Sequence, residues 1–229
     1  MLLLALSCLQ GRAAADAAGE LLALDPDGLQ LTPGCAPSPG LIGRLSSARV
    51  PVATHHGYTP RALRAVVWAE DGSLATCSDS IHPPRATHPA ARRWLEAWRR
   101  VEGRRPIVEV MYPGWCLGGG DELAMAMAEG IPLAVDASHL HIQRAAGVLD
   151  DGTLRRLLAY DGVAEVHVSD NDGRRDQHRP LVAGSYGLGW AAERAATGTP
   201  LVLESAMHPL TRAERARQVE LVRERISCY

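Results

Sequence analysis

The chain has 229 residues, 46% of them hydrophobic and 22% charged, with a formal net charge of −2. That length covers one large domain or two small ones, and the composition excludes disordered, fibrous and collagen-like classes. No overall field draws the chain toward nucleic acid or an anionic membrane, and no run approaches the ~20 apolar residues of a membrane span.

Short apolar runs recur along the chain, separated by amphipathic stretches. The expected strands are Leu2–Ser7, Gly28–Thr32, Val50–Thr54, Leu74–Ile81, Pro106–Met111, Pro132–Ala137, Ala164–Ser169 and Pro200–Ser205. The opening MLLLALSC could be read as a lipoprotein-type export signal. No basic residue precedes it and its apolar core is short, so a first buried strand is expected instead. Helices are expected in HPAARRWLEAWRRVEG, with Trp94, Leu95, Trp98 and Val101 on one face, in GDELAMAMAEG, in DDGTLRRLLAYDG and in TRAERARQVELVRERI. In the last, Thr211 followed by Glu214 forms a capping-box pattern. The stretch 57–73 shows no clear helix. Eight apolar strands alternating mostly with helices predict a parallel sheet closed into a single (β/α)8 TIM barrel over residues 1–229, with lean loops.

The polar residues fall at the strand ends. Strand three ends in His55-His56 and strand four in Ile81-His82. Strand five carries Glu109, strand six Asp136 and His139, strand seven His167, with Asp176 and His178 in its loop, and strand eight Glu204. A lone Asp at a strand end is ordinarily a turn or helix cap, and a lone His in an apolar strand is ordinarily a core residue. Glu109 in PIVEVMY and Glu204 in PLVLESA resist such readings, because an unpaired buried charge is very costly. One metal cluster at the barrel mouth satisfies nine of these positions together, with one of the adjacent pair His55 and His56 facing in and the H-x-x-Y spacing to Tyr58 favouring His55. Asp136-x-x-His139, running from a strand into a loop, and Asp176-x-His178, on one face of an extended loop, can each aim two donors at one ion. Mixed imidazole and carboxylate donors suit Zn, Mn or Fe and fit a cysteine-rich structural zinc site poorly. The five cysteines (8, 35, 77, 116 and 228) are widely spaced without a C-x-x-C pair, which favours a reducing, cytoplasmic setting over a disulfide framework. Cys77 and Cys116 read as packing residues.

The motifs VDASH, HVSDNDGRRDQHRPL and LVLES resemble the xylose isomerase-like TIM-barrel superfamily, which includes sugar isomerases and epimerases and the endonuclease IV type of DNA-repair enzyme. In the epimerase branch the resemblance implies one divalent metal held by Glu109, Glu204, Asp136 and His167. The two glutamates would exchange a substrate proton, with His139 helping to hold the substrate. In the endonuclease IV branch it implies a trinuclear zinc site that adds His55, His82, His139, Asp176 and His178. A weaker likeness, through the D-x-x-H and D-x-H elements, is to multinuclear non-heme iron oxidases that modify peptides in natural-product biosynthesis. The sequence departs from the family after His178, where a compact Pro-Leu-Gly-x-Gly turn is replaced by RPLVAGSYGLGW.

The expected protein is therefore a divalent-metal enzyme with one to three ions per chain. Isomerase or epimerase chemistry leads, iron oxidation is the alternative, and zinc phosphodiester hydrolysis is third. Glu109, Glu204 and His139 are the expected catalytic residues. Arg174, Arg175 and Arg179 on the mouth loop, with His56, are assigned to substrate binding. Every fixed cation is an arginine, a planar bidentate donor, and three of them suit one phosphate or carboxylate better than a duplex. The cluster Arg99, Arg100, Arg104 and Arg105 belongs to the barrel bottom as a solvated face. The expected partner is a small molecule, with a peptide substrate and a homodimer both compatible, and neither duplex DNA nor a membrane is expected.

Overall fold

The computed structural model describes residues 1–32, 38–58 and 78–229. Cys35, Cys77, the expected start of the fourth strand and most of the stretch 57–73 lie outside these residues. Eight parallel strands close into a barrel in chain order: β1 Leu2–Ala5, β2 Gly28–Leu31, β3 Val52–His56, β4 Ser78–Ile81, β5 Ile107–Val110, β6 Leu133–Asp136, β7 Val163–Val168 and β8 Leu201–Leu203, with β8 pairing back to β1. The fold is the expected (β/α)8 barrel. The described helices are α1 Ala14–Leu22, α2 Pro39–Ser47, α3 Trp94–Arg99, α4 Gly120–Ala128, α5 Ala137–Ala145, α6 Asp151–Leu158, α7 Leu188–Ala196 and α8 Arg212–Ile226. None of them is long and apolar enough to cross a membrane.

Local chemistry sets these boundaries. The Thr211 hydroxyl accepts from the Glu214 amide while the Glu214 carboxylate accepts from the Thr211 amide, closing the expected capping box on α8. The carboxylate of Asp150 caps α6 through the amides of Gly152 and Thr153. Helix α3 is shorter than its periodicity suggests. The residues before it make turns, with the Ala90 amide bonded to Nδ1 of His88, and Pro89 disfavours helix in the residue it follows. Trp94 and Trp98 are nevertheless buried on the expected face. The basic cluster near the bottom is engaged by its own neighbours: Arg99 meets Glu129, Arg104 meets Asp79, and Arg105 lies over the Trp98 ring.

Barrel interiors are usually filled by branched apolar side chains. Here Gln30 of β2, Ser80 of β4 and Glu165 of β7 meet across the interior, with Gln30 Nε2 and Ser80 Oγ donating to Glu165 Oε1 at 3.0 and 2.8 Å. All three residues are completely buried. This polar layer lies beneath the mouth, where the strand ends deliver the site.

Candidate metal centre

The strand ends bring together the nine residues expected as ligands. Period-two alternation turns His55 inward on β3 and His56 to the opposite face. His55 Nε2 lies 3.2 Å from Glu109 Oε2, and His82 Nε2, just past β4, lies 2.9 Å from the same oxygen. The other oxygen, Glu109 Oε1, lies 3.5 Å from both His139 Nδ1 and His167 Nδ1. Glu204, just past β8, places Oε1 3.5 Å from His167 Nδ1. Asp176 Oδ2 lies 3.4 Å from His139 Nε2 and 3.2 Å from His178 Nε2. Two sets of donor atoms are close enough to share an ion: His55, His82 and Glu109, and Glu109, Asp136 and His167.

These residues fit divalent cations. Metal–ligand bonds of about 2.0–2.1 Å in a tetrahedral shell put neighbouring donor atoms about 3.3 Å apart. The separations here cluster around that edge. Glu109 Oε2, Asp136 Oδ2, His139 Nε2, His167 Nδ1, Asp176 Oδ1 and His178 Nδ1 are buried with no hydrogen-bond partner among the described residues. A native protein leaves few such atoms, and a cation shared by several donors accounts for them together.

On His55, His139 and His167 the other ring nitrogen is held from behind, which fixes the face each of these imidazoles presents. His167 Nε2 is 2.6 Å from Glu165 Oε1, leaving Nδ1 toward Glu109 and Glu204. His55 Nδ1 is 2.8 Å from Ser80 Oγ, leaving Nε2 toward Glu109. His139 Nδ1 is 2.9 Å from the Val110 carbonyl, leaving Nε2 toward Asp136 and Asp176. Such outer partners orient metal-binding imidazoles.

Two local expectations are corrected. Asp136-x-x-His139 does not enter a loop. Asp136 is the N-cap of α5, its Oδ1 accepting from the amides of Ser138 and His139, and His139 sits in the first turn. Cap and ligand are therefore one residue: the cap bonds hold Oδ1 and turn Oδ2 into the site. Nor is Asp176-x-His178 uniformly extended, because His178 adopts a left-handed conformation with φ of 45°. Non-glycine residues held there cluster at functional sites. The loop is tied down by Asn171, which accepts from His141 and donates to the Ser138 carbonyl, and by the Ala206 amide on the His178 carbonyl.

Without a cation, the charges hold one another. Burial pushes the Glu109 carboxyl up, but His82 and His55 outweigh it and hold it well below the usual carboxylate range. Burial pushes Asp136 up, with His139 opposing and the other carboxylates reinforcing. Burial pushes His139 and His167 down, but the surrounding carboxylates carry both well above the usual imidazole range. In this state protons sit where a cation would replace them.

His56 behaves differently. Burial, followed by the neighbouring His55, pushes it down from 6.5 to about 4. The unfolded chain then binds the proton first, so stability falls as pH drops from about 6.5 toward about 4. After allowance for solvent screening, about 1–2 kcal/mol is expected from this residue. Urea denaturation of chelator-treated protein at pH 6.5 and 4.5 should show a smaller acid loss in His56→Gln than in wild type. Equal losses would remove His56 as the cause.

Beside the cluster lies a cavity of about 670 Å³, lined by Tyr112, Ile142, Ala145, Arg174 and Arg175, with Asp176 at its wall. The Tyr112 ring packs edge-on against His139 at 4.9 Å, and Trp115 against His82 at 5.5 Å, forming an aromatic wall. Arg179 turns instead to Asp172, at 3.6 Å. Of the four expected substrate contacts, Arg174 and Arg175 thus line the cavity, while Arg179 and His56 do not. Cys116 is buried, with its thiol against the Ala91 carbonyl. Glu165, Ser80 and the aromatic wall were not singled out from the sequence. Glu165 carried a usable signal: it is an acid in the apolar strand VAEVHV, two positions before His167 and so on the same face.

No protein-family model matches the chain, and no curated protein matches it. Solved structures do. Endonuclease IV from Thermus thermophilus aligns with a TM-score of 0.64 and 21% identity, over 100% of this chain and 99% of that one. A xylose isomerase domain-containing protein from Salmonella typhimurium aligns with a TM-score of 0.62 and 12% identity, over 99% and 97%. SacUVDE aligns with a TM-score of 0.55 and 10% identity, over 97% and 98%. These are likenesses of fold: the chain is an eight-stranded closed barrel that aligns with theirs over nearly its whole length.

Proposed function

We propose that this chain is a divalent-metal-dependent barrel enzyme with a multinuclear centre, acting on a small polar substrate that carries an anionic group, and that its reaction is phosphoester hydrolysis. The observation that carries the reading is the division of Glu109: Oε2 lies beside His55 and His82, while Oε1 lies beside His167, which with Asp136 forms the second donor group. One carboxylate shared by two donor groups supports more than one ion, and the histidines from β3 and β4 then have a use that a single-ion site would not give them. Bound cations would supply Lewis acidity toward a phosphoryl oxygen. The chain's own residues do the rest. Arg174 and Arg175 meet the anionic group in the cavity with planar paired donors. Tyr112 and Trp115 wall the opening, and Arg179 holds the loop through Asp172. Glu204, at the rim, is placed to hold or accept a proton at the reacting group.

A second reading, isomerisation or epimerisation by proton transfer, is favoured by one observation. Glu109 Oε1 and Glu204 Oε1 both lie 3.5 Å from His167 Nδ1, a pair of carboxylates around one point. Elemental analysis of protein purified without chelator, with two assays beside it, separates the readings. Two or three Zn or Mn per chain with cleavage of bis(p-nitrophenyl) phosphate is the expected result. One ion per chain with solvent deuterium entering a ketose substrate would replace hydrolysis with isomerisation. Iron with substrate-dependent oxygen uptake would move the protein to the oxidases. No metal after reloading would remove every metal-dependent reading.

A further inference from the structure

The geometry points to Glu165 as a positioning residue that fixes the imidazole faces of ligands at both ion positions. This inference rests on the metal reading above. Three donors converge on one oxygen, Glu165 Oε1: Gln30 Nε2 at 3.0 Å, Ser80 Oγ at 2.8 Å and His167 Nε2 at 2.6 Å. Ser80 donates its hydroxyl proton to Glu165, so its oxygen lone pair is what faces His55 Nδ1 at 2.8 Å. That makes Nδ1 the protonated nitrogen of His55 and Nε2 its ligand atom. His167 is held the opposite way, with Nε2 protonated and Nδ1 presented to Glu109 and Glu204.

His55 belongs to one donor set, with His82 and Glu109, while His167 belongs to the other, with Asp136 and Glu109. One buried oxygen thus sets opposite ring faces in the two groups: directly at His167 and through Ser80 at His55. Glu109 joins the two positions from within the cluster, and Glu165 joins them from beneath it. Hydrogen-bonded partners of this kind raise ligand basicity and hold ring orientation, and their removal typically costs about 10–100-fold in metal affinity.

The test is cobalt(II) binding to the full-length protein, followed by d–d absorption and chelator competition, for wild type, Glu165→Met, Glu165→Gln and Ser80→Ala. Glu165→Met keeps the volume and removes the acceptor, so both positions should weaken about 10–100-fold. Glu165→Gln can place its amide oxygen where Oε1 stands and should restore most of that loss, which a merely structural role would not predict. Ser80→Ala should weaken the His55 position alone. In zinc-loaded wild type, imidazole nitrogen NMR should show His167 protonated at Nε2 and His55 at Nδ1. Wild-type affinity in Glu165→Met, equal weakening of both positions in Ser80→Ala, or the reversed tautomers would each overturn the role. If Glu165→Met does not fold, the Ser80→Ala isotherm and the wild-type tautomers still decide. Failure of the wild type itself to bind cobalt would remove the metal reading together with this one, whereas normal wild-type binding with unaffected variants would remove this one alone.

Discussion

Glu109→Gln should yield a folded barrel that has lost at least about a hundredfold in metal affinity and nearly all turnover. Both carboxylate oxygens of Glu109 are in use, one toward His55 and His82 and the other toward His139 and His167. Glutamine keeps the shape and offers one acceptor. Its amide nitrogen can only donate, and it would face the His55, His82 or His167 nitrogens, which must present lone pairs to a cation. An outer-sphere partner alone is worth about 10–100-fold, so removal of a ligand shared by two donor groups should exceed that range. Glu204→Gln is the informative contrast. Among the described residues Glu204 makes its ion-pair contact with His167, at 3.5 Å, and is not in the group of His55, His82 and Glu109, so metal held by that group should remain while turnover is lost. Metal per chain after dialysis, far-ultraviolet circular dichroism and turnover of each variant check this. Full metal content in Glu109→Gln would show that the carboxylate does not bridge.

Removal of the metal from the wild-type protein should lower its melting temperature by about 5–11 °C. An ion present at a hundred times its dissociation constant stabilises by about 2.7 kcal/mol, and a domain of this size shifts by about 2–4 °C per kcal/mol. The gap between loaded and metal-free protein should also widen with pH. Burial lowers His178, but its bond to Asp176 and the nearby carboxylates prevail and raise it from 6.5 to about 9. A histidine raised in the folded state stabilises fully below 6.5, and that contribution disappears as pH rises through about 9. The metal-free protein therefore weakens over this window. The loaded protein strengthens, because cations displace protons from the imidazoles and bind more tightly as pH rises. Differential scanning calorimetry with and without chelator at pH 6.5, 7.5 and 8.5 reads the difference directly. A constant gap would mean that His178 does not exchange a proton for a cation.

Much of this molecule was legible in the sequence because two signals are local. Apolar runs of strand length separated by helical stretches predicted eight parallel strands, and closure follows when each strand must bury both faces. The donors at the strand ends were legible for a related reason. A charged or imidazole side chain in an otherwise apolar strand demands a partner, and at Glu109 and Glu204 that demand was visible in seven-residue windows. The capping box at Thr211 and Glu214 belongs to the same kind, since two residues three positions apart carry the whole interaction.

What the tertiary structure alone decided is how those donors share one another. That Glu109 divides its oxygens between two groups depends on β3, β4, β6 and β7 converging on one point, which no window of sequence contains. The loss of Arg179 to Asp172 and the turning of His56 from the cluster depend on loop path and strand register in the same way. The underlying layer of Gln30, Ser80 and Glu165 joins residues as far apart as 135 positions. Gln30 and Ser80 each read alone as ordinary polar residues, and Glu165, although visible as an acid in an apolar strand, does not reveal which side chains meet it. Periodicity fixes which face of a strand a side chain occupies, but only barrel closure determines which side chains from other strands meet it there, because those contacts are set by the relative stagger of strands and not by any one of them.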